Sequence, residues 1–203
     1  MASFKLISKL TETKFPIPVE KYESTRTGIK LYVCNIKGPV VDGYISLATE
    51  ANDDDGLPHT LEHMVFLGSE DYPYPGVLDI LANKVYAAGT NAWTDVDNTS
   101  YMLSTVEKLG FLQMLPIYLD HVLYPLLNEA GFITEVYHVN GEGEDAGVVY
   151  SEMQSCENED ETIVERAIHK LMYPNSDCGY RYETGGALKN LRTTTTHAKV
   201  IFK

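Results

Sequence analysis

Hydrophobic and polar positions along this chain change period several times, and each change marks an element. In residues 28–36, Ile29, Leu31 and Val33 alternate with Lys30, Tyr32 and Cys34, the two-residue period of a strand. Gly38-Pro39 ends that run, and residues 42–49 predict a second strand paired with the first as a hairpin. Residues 1–22 carry Pro16 and Pro18 and show no clear period, so they predict an irregular lead-in, with one domain following over 23–203. Pro58, whose missing N–H suits a first helical turn, opens a helix over 59–67 that stops at Gly68 and is anchored by Met64, Phe66 and Leu67. The polar turn before it, residues 51–56, puts acidic charge at the positive end of that helix.

After a proline-containing loop over 69–76, Val77, Ile80, Leu81 and Val85 recur at helical spacing, and Gly89-Thr90-Asn91 ends this second helix. A strand then begins at Ala92-Trp93-Thr94, with a partner over 100–105. Phe111, Leu112, Leu115, Tyr118, Leu119, Val122 and Leu123 form one stripe of a third helix, kinked at Pro116. Residues 133–139 predict another strand, residues 141–147 a Gly-rich acidic turn, and residues 146–172 a long helix closed by Pro174-Asn175. A last helix begins near His197, and the sequence stops inside it at VIFK, which predicts a domain truncated at its C-terminus. Strands and helices mix without strict βαβ alternation, so the expected class is α+β, a largely antiparallel sheet packed against helices.

Chemistry concentrates in the first helix. His59, Glu62 and His63 form an H-x-x-E-H array, the reverse of the H-E-x-x-H zinc peptidase motif. On a helix, His59 and His63 project from one face about one turn apart, a two-toothed metal clamp. Glu62 leans over the same face, where it can reach water on the metal rather than the metal itself. Catalytic zinc takes three protein ligands, and Glu152 in GVVYSEMQ, 89 residues after His63, offers the third from another helix. Glu62 then serves as general base. The remaining histidines, His121, His138, His169 and His197, are expected to be surface or satisfied structural residues, Cys156 a buried thiol, and the acidic run 157–161 a solvated helix face.

Composition narrows the partners. The 203 residues carry a net charge of −13, which argues against a nucleic-acid or anionic-membrane surface and mildly favours cationic peptides. The most apolar stretch, residues 111–127, is broken by Gln113, Pro116, Asp120 and His121, so no membrane span is expected. Cys34, Cys156 and Cys178 are odd in number and far apart, which fits reduced thiols. The N-terminus lacks a signal-peptide core and has no arginine before Arg26, so the cytosol is the expected compartment and the mitochondrion the alternative.

HTLEHMVFLGSEDYP, GTNAWTD and GVVYSEMQ, in that order, resemble the pitrilysin family of zinc metallopeptidases, which includes insulin-degrading enzyme and the presequence peptidase. The resemblance runs from about Lys21 to the C-terminus. It implies zinc on His59, His63 and Glu152, Glu62 as base, and a peptide substrate added as a strand beside Asn91, Ala92, Trp93 and Thr94. Many members carry a supporting glutamate seven residues before the ligand glutamate; Asp145 stands there, with Glu142 and Glu144 nearby. The family also implies further α/β domains or a partner subunit that close a chamber and supply an arginine and a tyrosine, a pair not assigned to Tyr180, Arg181 or Tyr182. The readings that follow are a peptidase for short or unfolded peptides, a non-catalytic structural or assembly subunit of the same fold, or an inactive fragment that binds zinc.

Overall fold

The structure, a computed structural model, describes residues 3–11, 14 and 17–193. It divides into two compact units, Met1–Pro39 and Val40–Lys203. In the first, β1 (Phe4–Leu10), β2 (Val19–Ser24) and β3 (Lys30–Cys34) form an antiparallel sheet in that order. The lead-in is therefore strand rather than irregular chain, and β3 pairs with β2 instead of with the strand that follows it. The cause is the turn between them: Ser24 N–H donates to the Ile29 carbonyl at 2.8 Å, Gly28 N–H donates to the Ser24 carbonyl at 2.9 Å, and Gly28 takes φ +73°. That local turn closes the hairpin one strand earlier than alternation alone suggests.

The second unit opens with β4 (Val40–Ala48), which pairs antiparallel with β6 (Asn98–Val106); β6 pairs in turn with β5 (Ala87–Thr94). The order β4-β6-β5 leaves β5 at an edge. Between β4 and β5 lie α1 (Leu57–Val65) and α2 (Val77–Lys84). After β6 come α3 (Glu107–Leu123, containing Pro116), α4 (Glu129–Val136), the short pair β7 (His138–Val139) and β8 (Asp145–Ala146), α5 (Val148–Cys156), α6 (Asp160–Met172) and α7 (Leu188–Leu191). The α+β class and the antiparallel sheet stand as the sequence predicts.

Two stretches differ. Residues 129–136 are helical because Asn128 caps the segment, accepting from Gly131 N–H at 2.7 Å, and Phe132 and Val136, four apart, are both fully buried. The long helix over 146–172 is two helices, since Glu159 is extended at φ −73°, ψ 140°. Glu157, at the break, is partly buried: it accepts from Leu188 N–H at 3.3 Å and faces Arg166 at 3.7 Å, so it is no part of a solvated helix face. The helix expected near His197 lies outside the described residues. Among the described residues no helix is long and apolar enough to cross a membrane.

The core falls into two clusters that meet on α1. Met64 joins Phe132, Val136, Val149, Tyr150, Met153, Leu188 and Leu191, from α4, α5 and α7. Val65, the next residue, joins Leu78, Ala82, Tyr101, Leu103, Met114, Tyr118 and Val122, from α2, α3 and the sheet. Consecutive helix residues point about 100° apart, so α1 is gripped from two sides and its third face remains for other work.

The entry to α1 is set by Gly56, at φ +75°. A Cβ there would lie 2.6 Å from Gly186 Cα and 2.7 Å from the Gly185 carbonyl oxygen. Nearby, Asp54 accepts from Glu183 N–H at 2.9 Å and, through its carbonyl, from Ala187 N–H at 2.8 Å, which fastens the chain before α7 to the start of α1. Gly56→Ala should therefore lose more stability than Gly76→Ala, a helix-capping glycine at the same φ whose Cβ would meet nothing within 4 Å. Strain alone costs about 1–3 kcal/mol at each, and the added cost at Gly56 comes from immovable backbone. Urea titration of the two variants checks this, and equal losses would contradict it.

Candidate metal centre

The free face of α1 carries His59, Glu62 and His63. His59 and Glu62 are each 8% exposed, held there by Met64 and Val65 on the flanking faces. Across from them α5 is anchored by buried Val149, Tyr150 and Met153, and it presents Glu152 from its exposed side. His59 Nε2 and His63 Nε2 are 3.2 Å apart, and Glu152 Oε2 lies 3.7 Å from the first and 3.4 Å from the second. Three ligand atoms held about 2.0–2.1 Å from a tetrahedral zinc are separated from one another by about 3.3–3.4 Å. The donor set, two imidazoles and a carboxylate, and its spacing both fit such an ion.

The far nitrogens of the two rings are also engaged. His59 Nδ1 is 3.5 Å from the Gly185 carbonyl oxygen, and His63 Nδ1 is 3.0 Å from Glu135 Oε1. Glu135 comes from α4, which the sequence had suggested was a strand. Read as a helix, the segment places Glu135 beside the buried pair Phe132 and Val136 and thus against α1. Asp145, expected to support a ligand histidine, does other work. Its carboxylate accepts from Tyr137 Oη at 2.7 Å, Tyr150 Oη at 2.9 Å and Arg192 Nη2 at 2.7 Å, tying the start of α5 to the end of α7.

Burial lowers the pKa of His63, but the hydrogen bond and charge of Glu135, together with the charges of Glu152 and Glu62, outweigh it and leave the imidazole raised above 6.5.

Glu62 receives the Thr94 hydroxyl: Thr94 Oγ1 donates to Glu62 Oε2 at 2.6 Å, and Thr94, Thr99 and Thr49 continue as a hydroxyl chain at 3.2 and 3.0 Å. Thr94 ends β5, so the edge strand runs up to the carboxylate. An open groove of about 380 Å³ lies along it, lined by Glu62, His63, Phe66, Thr90, Asn91, Ala92 and Glu152. Trp93 points to the opposite face of the sheet and packs edge-on against Tyr44, ring centroids 6.1 Å apart. Trp93 is not among the residues that line the groove.

The other flagged residues stay outside this centre. Cys156 Sγ is turned to the Met153 carbonyl at 3.5 Å and packs on the core. His121 is fully buried with Nδ1 on the Ile117 carbonyl at 2.9 Å, and His138 Nδ1 lies 3.3 Å from the Ile133 carbonyl.

Residues 47–183 match the family model described as insulinase, peptidase family M16, and the chain belongs to that family. It is 53% identical over 179 residues to an uncharacterized protein of Caenorhabditis elegans and 48% identical over 179 residues to one of Saccharomyces cerevisiae. These alignments cover 88% and 87% of this chain but only 18% and 17% of the relatives, so the chain spans under one fifth of their length. A mitochondrial presequence protease of Xenopus tropicalis is 30% identical over 159 residues, 74% of this chain and 15% of that one. Among solved structures, pitrilysin superposes on the whole chain with a TM-score of 0.75 at 16% identity, over 22% of its own length, which shows the shared fold.

A metal at Nε2 of His63 must displace a proton held by the raised pKa. Zinc affinity should therefore climb as pH rises from 6 through the His63 pKa and then level, with proton release greatest on the acid side. The apo protein should show the converse: the stabilisation from protonated His63 is expected to be complete below pH 6.5 and to fade as pH rises through the raised folded-state pKa. Titration calorimetry in buffers of different ionisation enthalpy measures both the affinity and the released protons. A flat profile from pH 6 to 8 would contradict the assignment.

Proposed function

We propose that this chain carries the zinc centre of a metalloendopeptidase that cuts short or unfolded peptides. The observation that carries this reading is the convergence of His59, His63 and Glu152 at 3.2–3.7 Å beside a buried glutamate and the edge strand of the sheet. The first three residues hold the ion. When bound, zinc supplies a Lewis acid that polarises the scissile carbonyl and lowers the pKa of water to about 7.

Glu62 takes a proton from the attacking water and passes it to the leaving amine. Thr94, by occupying Glu62 Oε2, holds the carboxylate in one orientation with Oε1 left for the proton. The edge of β5, Asn91 through Thr94, takes the substrate as an added strand through backbone hydrogen bonds, which requires an extended peptide and so selects unfolded or short ones. The Ala92 N–H now rests on the Asn91 side-chain carbonyl at 3.0 Å, a contact within one residue that an incoming strand can replace.

Since the relatives are more than five times as long as the matched segment, the remaining walls of the substrate site are assigned to further domains or a partner subunit. A non-catalytic subunit of this fold is the alternative. The intact set of His59, Glu62, His63 and Glu152 favours the enzyme. The cytosol is the proposed compartment, and the mitochondrial presequence proteases among the relatives make the mitochondrion the competing assignment.

Glu62→Gln should keep zinc and lower cleavage of a fluorogenic peptide by at least about 10²-fold in the polypeptide that contains the complete site; unchanged cleavage removes Glu62 as base. Thr94→Val should keep zinc and lower kcat by about 10-fold or more, the worth of a hydrogen bond to a charged group, with little change in KM. Thr94→Ser should restore kcat. A loss of KM alone, or no rescue by serine, would show that Thr94 does not orient Glu62.

A further inference from the structure

We infer that Glu135 is the positioning residue that fixes His63 for the metal, and that Asp145 is not. The inference rests on the metal site proposed above and adds the carboxylate that tunes it.

Glu135 is built to stay in place. It sits on α4 between Phe132 and Val136 as the chain runs, both without exposed surface, and these two pack on Met64 of α1 in one core cluster. Its side chain is 17% exposed, and so is that of His63. With Glu135 Oε1 at 3.0 Å, Nδ1 of His63 must carry a hydrogen, because an ionised carboxylate can only accept. The lone pair of the neutral ring is then confined to Nε2, the nitrogen facing His59 and Glu152. A carboxylate partner also makes the ring a stronger base and hence a better ligand. His59 has a weaker arrangement, a backbone carbonyl at 3.5 Å. Of the two imidazoles, His63 is the one oriented by charge.

Asp145 has no room for that task. Oδ1 takes the Tyr137 hydroxyl, and Oδ2 takes the Tyr150 hydroxyl and both Arg192 Nη2 and Nε, the last at 3.1 Å. Arg192 further contacts the Tyr150 hydroxyl at 2.5 Å and covers its ring at 5.3 Å. Asp145 therefore fastens Arg192, just past α7, to the first turn of α5. Its loss should loosen the packing of α5 and α7, while Glu135 continues to hold His63.

Zinc affinity of the purified chain, measured at pH 7.5 by competition with a chromophoric chelator, separates the two residues. Glu135→Gln should weaken zinc about 10–100-fold, and Glu135→Asp, which keeps the charge but falls short by one methylene, should lie between Glu135→Gln and the parent. Asp145→Asn should leave affinity within twofold while lowering the thermal midpoint. Cobalt substitution adds a second readout: the visible d–d bands should shift in Glu135→Gln and not in Asp145→Asn. Gln keeps the shape of the side chain and an acceptor for Nδ1, so the circular dichroism spectrum of Glu135→Gln should match that of the parent. Parent chain that takes no zinc overturns the metal site itself. Parent chain that binds zinc, with Glu135→Gln equal to it or with Asp145→Asn the weaker binder, overturns this inference alone.

Discussion

The structure depends on the grip exerted on α1 by two hydrophobic clusters at adjacent residues. Met64 is drawn into the helices α4, α5 and α7, and Val65 into α2, α3 and the sheet. With two faces fixed, the third can carry His59, Glu62 and His63 at 8% exposure or somewhat more without the helix rotating to rehydrate them. The same two clusters also bring the outside partners. The first sets α5 and α4, hence Glu152 and Glu135, against the imidazoles; the second sets β5, hence Thr94, against Glu62. His63, Glu135 and Glu152 thus each stand one residue from a buried apolar side chain, Met64, Val136 and Met153, and interiors packed this closely leave little slack for their contacts to drift.

Much of this was legible before any coordinates. The H-x-x-E-H array and Glu152 could be joined because helical periodicity fixes which side chains share a face, and that is a local rule. The edge strand at residues 91–94 was legible through resemblance. What could not be read was decided by contacts the local period does not carry. The β-branched Ile133, Thr134 and Val136 suggest a strand, yet Asn128 caps a helix there, and only a helix turns Glu135 toward His63. Asp145 stood at the right spacing for a support, but Arg192, 47 residues away in sequence, claims it. Alternation alone pairs β3 with the strand after Gly38-Pro39, whereas the hydrogen-bonded turn from Ser24 to Ile29 pairs it with β2.

The centre combines a closed and an open side. His59 and Glu62 are nearly buried, which strengthens their electrostatic interactions, whereas Glu152 keeps 55% of its side chain exposed and borders the groove along β5. An ion held on such a rim remains accessible to an extended peptide lying on the sheet edge. The edge of β5, unpaired among the described residues, is itself a liability unless something covers it, and a substrate strand is one covering that the chemistry beside it can use. Belonging to the insulinase family and sharing the pitrilysin fold are consistent with that use, and the chain spans under one fifth of the length of the relatives it matches.

X-ray absorption at the zinc edge on the metal-loaded chain tests the central claim most directly, since it reports both whether an ion is held and which atoms hold it. About one zinc per chain should show a first shell of nitrogen and oxygen only, near 2.0–2.1 Å, with the multiple-scattering signature of two imidazoles. That shell should lose one imidazole in His59→Ala and in His63→Ala. A sulfur neighbour near about 2.3 Å, an unchanged shell in either variant, or no bound zinc would contradict it.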